Sequence, residues 1–446
     1  MIQKKLIFLI LNITYISIMT SLSESIKIQP CKTIAMLGSV ADGKTTCVRE
    51  LSGINTITHS LEKNLNKTMK QGFANMKIWK DEKGNLYTTD SKVTSYELCE
   101  LVNHISFADL PGHHSLIQTM LSAISMVDGA IVVVAVNEPL STKPQLIQHL
   151  AAVKLAGIKD IIVCLNKIDL VSKEVLMKRK EELDELLAQH NIVPHIVIPT
   201  CFNQRIGIDK LTTAIMQLFN PSDYIEKLDH SNPLFSITRT FDVNKPGTSW
   251  DQVVGGVFGG SLQSGNIKIG DELEIRPGLV MKNKEGKFEC TPLKTNVLSI
   301  ESQNVSLDNL LPGGLASIKT NIDPFYFKGD GQSKGSKKDS LIGHVVGIPG
   351  KMPSVFIKLS FEIKLITSFG FNWKPSVKDV FVMQIGTRVC DAQVKEINKT
   401  MITVELAKPC CICDNEHVII CRNIDKILRI VGEGTIKYSD NPKKLI

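Results

Sequence analysis

Apolar positions divide the chain into two kinds of region. Up to about Phe219, short apolar runs typical of buried strands alternate with longer segments in which apolar residues recur every three to four positions. The strand-like runs are CKTIAML, ISFADL, GAIVVVAV, DIIVCLN and HIVIPT. This alternation predicts a parallel β-sheet covered by helices.

Beyond the linker NPSDYIEKLDHSNP, the pattern changes to short alternating strands separated by Gly and Pro turns. The segments LFSITRTFDV, GGVFGGSL, DELEIRPG and LASIKTN predict a closed or nearly closed β-barrel. After Pro349 and Gly350, the segments from SVFIKLSFEIKL to KILRIVGEGTIK predict a second barrel. We therefore expect an α/β domain at 31–222, a first barrel at 231–347 and a second barrel at 348–446.

The amino-terminal segment, residues 1–30, carries two lysines before an apolar run and so resembles a secretory signal. Asn12 and Thr14 interrupt the run, which is shorter than the roughly 20 residues that a membrane span needs. We expect an extension that is disordered, or translation that starts near Met19. We expect no membrane partner.

Composition and charge exclude few classes of protein. A chain of 446 residues with 43% hydrophobic content is long enough for about two to four domains. The net charge of +7 suits a nucleic-acid partner, but 45 acidic residues are interspersed with 52 basic ones. Among 11 cysteines only Cys410, Cys411 and Cys413 cluster, and they lie inside a strand-like run, so we expect reduced, buried thiols and no zinc site.

The stretch LGSVADGKTT fits the phosphate-loop pattern G-x-x-x-x-G-K-[ST] without a mismatch. It follows a strand-like run and precedes a helix-like one, as the mechanism requires. The lysine would lie between the terminal phosphates, and the following threonine hydroxyl would ligate magnesium. The nucleotide-binding candidates here are Ala41, Asp42, Gly43, Lys44, Thr45 and Thr46.

Two further motifs indicate a guanine nucleotide. Asn166, Lys167 and Asp169 form an NKxD motif at the carboxyl end of a predicted strand, where open parallel sheets bind ligands. Asp169 can accept from both the ring and exocyclic N–H groups of guanine, whereas adenine presents an acceptor there. In FADLPGHH, Asp109 ends a strand and can hold magnesium through water, and the Gly112 amide can reach the terminal phosphate.

The order of these motifs resembles that of the translational GTPases. Longer stretches, including NKTMKQGFANMKIWK, QHLAAVKLAGIKDIIVCLNKIDLV, FDVNKPG and GDELEIRPG, are similar to the gamma subunits of eukaryotic and archaeal translation initiation factor 2. The similarity extends from about Thr33 to Lys437. It implies an α/β P-loop GTPase domain followed by two β-barrel domains.

The resemblance also implies roles for individual residues. Thr68 matches the switch threonine that closes over magnesium and the terminal phosphate. His113 matches the histidine that orients the attacking water, a positioning role on which phosphoryl transfer depends. Thr200, Cys201 and Phe202 align loosely with the Ser-Ala-Gln loop of the family, which implies a backbone contact to the base.

The function implied by the resemblance is GTP-dependent delivery of methionyl initiator tRNA to the small ribosomal subunit, with GTP hydrolysed on start-codon selection. The implied cofactors are GTP or GDP and Mg²⁺. The implied partners are the alpha and beta subunits of the factor, a nucleotide exchange factor, a GTPase activator and the small ribosomal subunit. The implied location is cytoplasmic.

Some residues depart from the family pattern. The family usually has histidines where this chain has Ser39 and Asp42, and a carboxylate in the phosphate cradle would disfavour binding unless it points away or pairs with a lysine. Where the family often has a zinc knuckle, this chain offers only Cys99. Residues 327–340 are rich in Gly, Ser and Lys and are expected to form a flexible loop.

Three alternative functions stay open. An elongation-type GTPase would deliver elongator or selenocysteinyl tRNA, although FDVNKPG and GDELEIRPG favour initiation. A GTP switch that does not hydrolyse nucleotide is consistent with Asp42. A membrane-associated or secreted GTPase would use the amino-terminal apolar run.

Overall fold

The computed structural model describes residues 29–56, 72–89, 99–111, 117–220, 232–244, 249, 254–302, 305–327, 341–365, 373–413, 415–424, 427–437 and 443–445. Three seven-stranded sheets organise this part of the chain. The first is covered by helices, and the other two close into barrels. The predicted α/β domain followed by two β-barrels is confirmed.

The first sheet is parallel except at one edge. Among the described residues its strands are β1 (Lys32–Leu37), β2 (Gly72–Lys80), β3 (Leu86–Thr88), β4 (Glu100–Asp109), β5 (Gly129–Ala135), β6 (Ile161–Asn166) and β7 (Ile196–Pro199). Their order is β3-β2-β4-β1-β5-β6-β7, and β2 is antiparallel to both of its neighbours. Since β4, β1, β5, β6 and β7 run parallel, their carboxyl ends meet at one edge of the sheet.

Helices cover both faces of this sheet. They are α1 (Lys44–Ser52), α2 (Ile117–Ile124), α3 (Pro144–Leu155), α4 (Lys173–Gln189) and α5 (Ile208–Leu218). On β1, Ile34 and Met36 pack into a core with α1 and α5, whereas Ala35 and Leu37 pack into the opposite core with α2, α3 and α4. The two-residue alternation of a strand supplies both cores, which is why the run is apolar throughout.

The first barrel closes with six strands. In the described residues these are β8 (Leu234–Phe241), β9 (Val257–Ser264), β11 (Glu272–Lys282), β12 (Phe288–Ser302), β15 (Ala316–Thr320) and β16 (Val345–Gly347). The order is β11-β16-β8-β9-β15-β12, and pairing of β11 with β12 closes it. The short strand β13 (Val305–Leu307) extends β12, while β10 (Ile267–Lys268) and β14 (Asn309–Leu310) form a separate pair. Inside, the rings of Phe235 and Phe258 meet edge to face with centroids 5.4 Å apart.

The second barrel has the same kind of closure. Its strands in the described residues are β17 (Ser354–Leu365), β18 (Val380–Ile385), β19 (Arg388–Asn398), β20 (Met401–Ile412), β21 (His417–Ile424) and β22 (Ile427–Lys437). The order is β20-β19-β18-β21-β22-β17, and β17 pairs with β20. The short strand β23 (Lys443–Lys444) adds to β17. Cys410 and Cys411 lie on β20 and are buried, and Cys413 directly follows that strand.

Both barrels contact the α/β domain. Ile419, Cys421 and Ile430 of the second barrel belong to the same apolar core as α2 and α3, and the Ile430 amide donates to Gln148 Oε1 at 3.3 Å. The first barrel is joined by polar contacts, because the Gly314 amide donates to Thr33 Oγ1 at 3.1 Å. An apolar interface therefore attaches the second barrel, and hydrogen bonds help to attach the first.

Several sequence predictions concern residues outside the described part of the chain. Residues 1–28, which carry the predicted extension, and 328–340, which carry most of the predicted Gly-, Ser- and Lys-rich loop, are among these. The domain boundaries stay predictions. Within the described ranges, no helix is both long and apolar enough to cross a membrane.

The aromatic ring of Phe219 generates a stability prediction. The side chain is 1% exposed, and a Cβ built at Gly129 would lie 2.2 Å from Phe219 Cε1, so the ring fills the space beside β5. We expect Phe219→Ala to lower the free energy of unfolding of the α/β domain by about 3–5 kcal/mol, because a cavity would remain. Urea unfolding followed by circular dichroism measures this loss.

The matched control for that substitution is Phe325→Ala, since Phe325 is 69% exposed. We expect the control to change the free energy of unfolding by less than about 0.5 kcal/mol. Equal losses in the two variants would contradict the assignment of Phe219 to the core.

Candidate guanine-nucleotide site

The loop between β1 and α1 has a backbone that only particular residues permit. Gly38 has φ of 140°, and a Cβ built there would lie 2.2 Å from the carbonyl oxygen of Val133. Gly43 has φ of 107°, and its Cβ would lie 2.3 Å from Asn166 Nδ2. A side chain at either glycine would displace the loop from the sheet edge. Ala41 also adopts a left-handed conformation, with φ of 65°.

The predicted phosphate cradle consists of the amino terminus of α1 and the Lys44 side chain, which folds back onto the loop. The helix begins after Gly43, and no side chain among the described residues caps it there. A helix amino terminus favours an anion. Lys44 Nζ donates to the carbonyl oxygens of Gly38 at 3.0 Å and Ser39 at 2.8 Å. Burial lowers the pKa of Lys44, while the Asp109 and Asp42 carboxylates oppose that shift.

Asp42 is paired rather than turned toward solvent. Its side chain is 1% exposed, and one carboxylate oxygen accepts a short hydrogen bond from Lys143 Nζ. The other oxygen accepts from the Ser39 amide at 2.8 Å. Of the two arrangements that would make a carboxylate tolerable in the cradle, the structure has the lysine pair.

Three oxygen-bearing side chains meet beside the loop. Thr45 Oγ1 donates to Asp109 Oδ2 at 2.7 Å, and Thr56 Oγ1 donates to the same oxygen at 2.5 Å. Asp109 is the last residue of β4, so the parallel sheet carries its carboxylate to the edge where α1 begins. Hydroxyl and carboxylate oxygens are the ligands that Mg²⁺ prefers, so the side chains of Thr45 and Asp109 fit this ion.

The NKxD segment lies at the same edge. Asn166 ends β6, and its Nδ2 donates to the carbonyl oxygen of Asp42 at 2.8 Å while its Oδ1 accepts from the Phe202 amide at 3.3 Å. Lys167 then adopts a left-handed conformation, with φ of 64°, which turns the chain into the short helix Ile168–Leu170. Asp169 is exposed, so a nucleotide base can reach its carboxylate.

The loop after β7 contacts this segment. The Thr200 amide donates to the carbonyl oxygen of Leu165 at 2.7 Å, which holds the loop against β6. Burial, and then the neighbouring Asp169 carboxylate, raise the pKa of the Cys201 thiol. The Phe202 side chain is 1% exposed. Phe202 is also the first residue of the short helix Phe202–Gln204. The structure thus brings the predicted base loop to the predicted base-recognising aspartate.

Three residues at the site were not assigned from the sequence. They are Lys143, Thr56 and His149, and each reaches the phosphate side through tertiary contacts. The Gly38 amide donates to His149 Nδ1 at 3.1 Å, and burial followed by the charge of Lys44 lowers the pKa of His149 to about 3. His149 is therefore a neutral acceptor beneath the loop. The only sequence signal for Lys143 was the need of Asp42 for a lysine partner.

Not every predicted residue can be located. Thr46 lies in the first turn of α1. Thr68, Gly112 and His113 lie outside the described residues, so the switch threonine and the water-orienting histidine stay predictions.

Two family models match the chain. The "Elongation factor Tu GTP binding domain" matches residues 29–221. The model "Initiation factor eIF2 gamma, C terminal" matches residues 369–436, which lie in the second barrel. The first match indicates guanine-nucleotide binding by the α/β domain.

Similar proteins are found in eukaryotes and archaea. The eukaryotic translation initiation factor 2 subunit gamma of Encephalitozoon cuniculi is 34% identical over 93% of this chain and 94% of its own length. The translation initiation factor 2 subunit gamma of Pyrococcus furiosus is 36% identical over 91% of this chain and 97% of its own length.

A solved structure supports the fold independently. The bacterial selenocysteine-specific elongation factor EF-Sec aligns with a TM-score of 0.67 at 21% identity, covering 91% of this chain and 58% of that protein. At this identity the likeness concerns the arrangement of the domains and not their ligands. Identity above 30% along almost the whole length of the initiation-factor relatives is the stronger finding. The chain is a translational GTPase and belongs to the family of translation initiation factor 2 gamma subunits.

Proposed function

We propose that this protein is a GTP-dependent carrier of methionyl initiator tRNA, which it delivers to the small ribosomal subunit. GTP is hydrolysed to GDP and phosphate on start-codon selection. The observation that carries the nucleotide part is the Asn166 side chain, which joins the phosphate loop at Asp42 to the base loop at Phe202. The tRNA part is supported by membership of the initiation-factor family.

In this proposal different residues contact different parts of the nucleotide. The cradle formed by residues 41–46 holds the phosphates, with Lys44 supplying charge between the terminal two. Asp169 accepts from the guanine N–H groups, the Lys167 stem covers the base plane, and the backbone of residues 200–202 completes the base pocket. These assignments rest on motif position and on the contacts among the residues.

Magnesium would be held by Thr45 and Asp109, with Thr68 joining in the triphosphate state. The 2.7 Å contact between Thr45 Oγ1 and Asp109 Oδ2 supports this set, because both are hard oxygen donors at the phosphate side of the sheet. The ion would neutralise phosphate charge.

Gating would depend on the two switch segments. Thr68 and the Gly112 amide would hold the switches while the terminal phosphate is present, which would align the GTPase domain with the first barrel around the aminoacyl end of the tRNA. Hydrolysis would remove that restraint. The proposed partners are the alpha and beta subunits, a nucleotide exchange factor, a GTPase activator and the small ribosomal subunit, all in the cytoplasm.

Filter binding to charged tRNA tests the proposal. Purified protein is assembled with its partner subunits and mixed with methionyl initiator tRNA or an elongator tRNA, each with GTP or GDP. We expect retention of initiator tRNA with GTP and at least about fivefold less with GDP, because a coupling of about 1–3 kcal/mol corresponds to about 5- to 150-fold. Preference for elongator or selenocysteinyl tRNA would favour an elongation-type factor instead.

Guanine specificity is predicted to depend on Asp169. Asp169→Asn replaces an acceptor with a donor opposite guanine N–H groups, at a cost of roughly 2–4 kcal/mol in GDP binding, so xanthine nucleotides should be preferred. Titration with fluorescent guanosine and xanthosine diphosphates measures the change. Asp209→Asn, on an exposed residue of α5, is the control and should leave both affinities unchanged. Unaltered guanine binding by Asp169→Asn would refute the assignment.

Hydrolysis is predicted to depend on His113. His113→Ala should leave GTP and tRNA binding within a few-fold, while activated hydrolysis slows by about 10²- to 10⁴-fold, the range for acid–base and positioning groups. The measurement is single-turnover hydrolysis by the assembled factor on the small ribosomal subunit with its activator.

The control for His113 is His195→Ala, which alters an exposed histidine just before β7 and should keep the parent rate. Equal rates in His113→Ala and the parent would remove His113 from the mechanism. An inert parent would favour a switch that does not hydrolyse GTP.

A further inference from the structure

An ion pair is buried beneath the phosphate loop. The Asp42 side chain is 1% exposed and the Lys143 side chain 4% exposed, and they are in direct hydrogen-bonding contact. Lys143 Nζ also lies 3.9 Å from Glu138, which is 62% exposed. A buried charge without a partner is strongly unfavourable, so each member of the pair depends on the other.

Asp42 is fixed in place by more than the ion pair. Its second carboxylate oxygen accepts from the Ser39 amide, and its carbonyl oxygen accepts from Asn166 Nδ2. These bonds keep the carboxylate under the turn of the loop. A nucleotide bound in the loop would therefore always have this carboxylate close to its phosphates.

Lys143 lies outside every nucleotide motif in the sequence. It is the residue immediately before α3, and its carbonyl oxygen accepts from the Leu146 amide at 3.0 Å in the first turn. Its side chain reaches back across the sheet edge to the loop. Helix α3 also carries His149, which accepts from the Gly38 amide, so one segment of chain supports the loop at two points.

Lys143 supplies one of the two positive charges that offset the carboxylates near Lys44, and Glu138 is an exposed carboxylate further out. Lys44 and Lys143 are positive, while Asp42 and Asp109 are negative. Without Lys143 the protein would present one excess negative charge to an anionic ligand. Coulomb repulsion of one unit charge at about 6 Å weakens binding substantially even at an effective dielectric near 20.

We propose that Lys143 is a positioning residue of the phosphate site, which neutralises the Asp42 carboxylate and fixes its position beneath the loop. This assignment rests on the proposed nucleotide site. Lys143 takes no part in the chemistry of hydrolysis. Because Lys143 neutralises Asp42, a phosphate loop that contains a carboxylate can still bind a phosphorylated ligand.

Charge-altering variants separate this role from a purely structural one. Lys143→Gln leaves Asp42 uncompensated and should weaken binding of GDP and GTP by about 10- to 100-fold. Asp42→Asn removes the buried carboxylate but keeps the Lys143 charge, which the exposed Glu138 at 3.9 Å offsets only in part, and it should tighten both by about 3- to 30-fold. Asp42→Asn combined with Lys143→Gln should return both affinities to within about threefold of the parent, because the two opposite charges are removed together.

The experiment is equilibrium titration of the purified full chain with N-methylanthraniloyl GDP and GTP in the presence of Mg²⁺. Lys143→Arg keeps the charge and should retain affinity within a few-fold. Lys358→Gln is the matched control, because Lys358 forms an exposed pair with Glu396 in the second barrel at 3.3 Å. The control should bind nucleotide as the parent does.

The outcomes are distinct. Opposite shifts in the two single variants, with restoration in the double variant, support the proposal. Equal weakening in both single variants, or no change in either, overturns it, because an ion pair that only stabilises the fold has no reason to affect affinity with opposite signs. A parent that binds no guanine nucleotide overturns the proposed function itself.

Folding failure of Lys143→Gln would not prevent the test. Asp42→Asn is then compared with the double variant, since both lack the buried carboxylate. Tighter binding by Asp42→Asn, by about fivefold or more, supports the role of the Lys143 charge. Equal affinity in these two variants overturns it.

Discussion

The amide side chain of Asn166 fixes the separation between the two halves of the nucleotide site. It donates to the carbonyl oxygen of Asp42 and accepts from the Phe202 amide, so it touches both the phosphate loop and the base loop. Asn166 ends β6, an interior strand that is buried along its whole length, which ties both contacts to the sheet. Because a Cβ at Gly43 would collide with this amide, the glycine of the loop and the asparagine of the strand require each other.

Local sequence patterns were sufficient to predict the parts of the site that lie within one segment. The glycines and lysine of the phosphate loop follow a strand and precede a helix, and Asn166 and Asp109 end strands, so their place at the carboxyl edge follows from a parallel sheet. The apolar run of β1 predicts a buried strand in the same way. Closure of the barrels was predicted from turns and alternation alone, since these features recur along the chain.

Contacts between distant segments could not be predicted in this way. The carboxylate of Asp42 indicated that it would either point away or pair with a lysine, yet 52 basic residues are spread along the chain, and Lys143 belongs to no motif. Thr56 and His149 have the same character, because each approaches the loop through the tertiary fold rather than through spacing. Only the packed arrangement of α3 against the sheet selects Lys143 and His149 from the other candidates.

The shared core of α2, α3 and the second barrel limits how this protein could be divided. Ile419, Cys421 and Ile430 lie among residues of the GTPase domain, so a chain ending before β17 would expose apolar surface on α2 and α3 to water. Exposed surface of that kind promotes aggregation. The second barrel therefore helps to keep the nucleotide-binding domain folded and dispersed, so a chain without the second barrel would lose stability first in a domain that the missing segment does not encode.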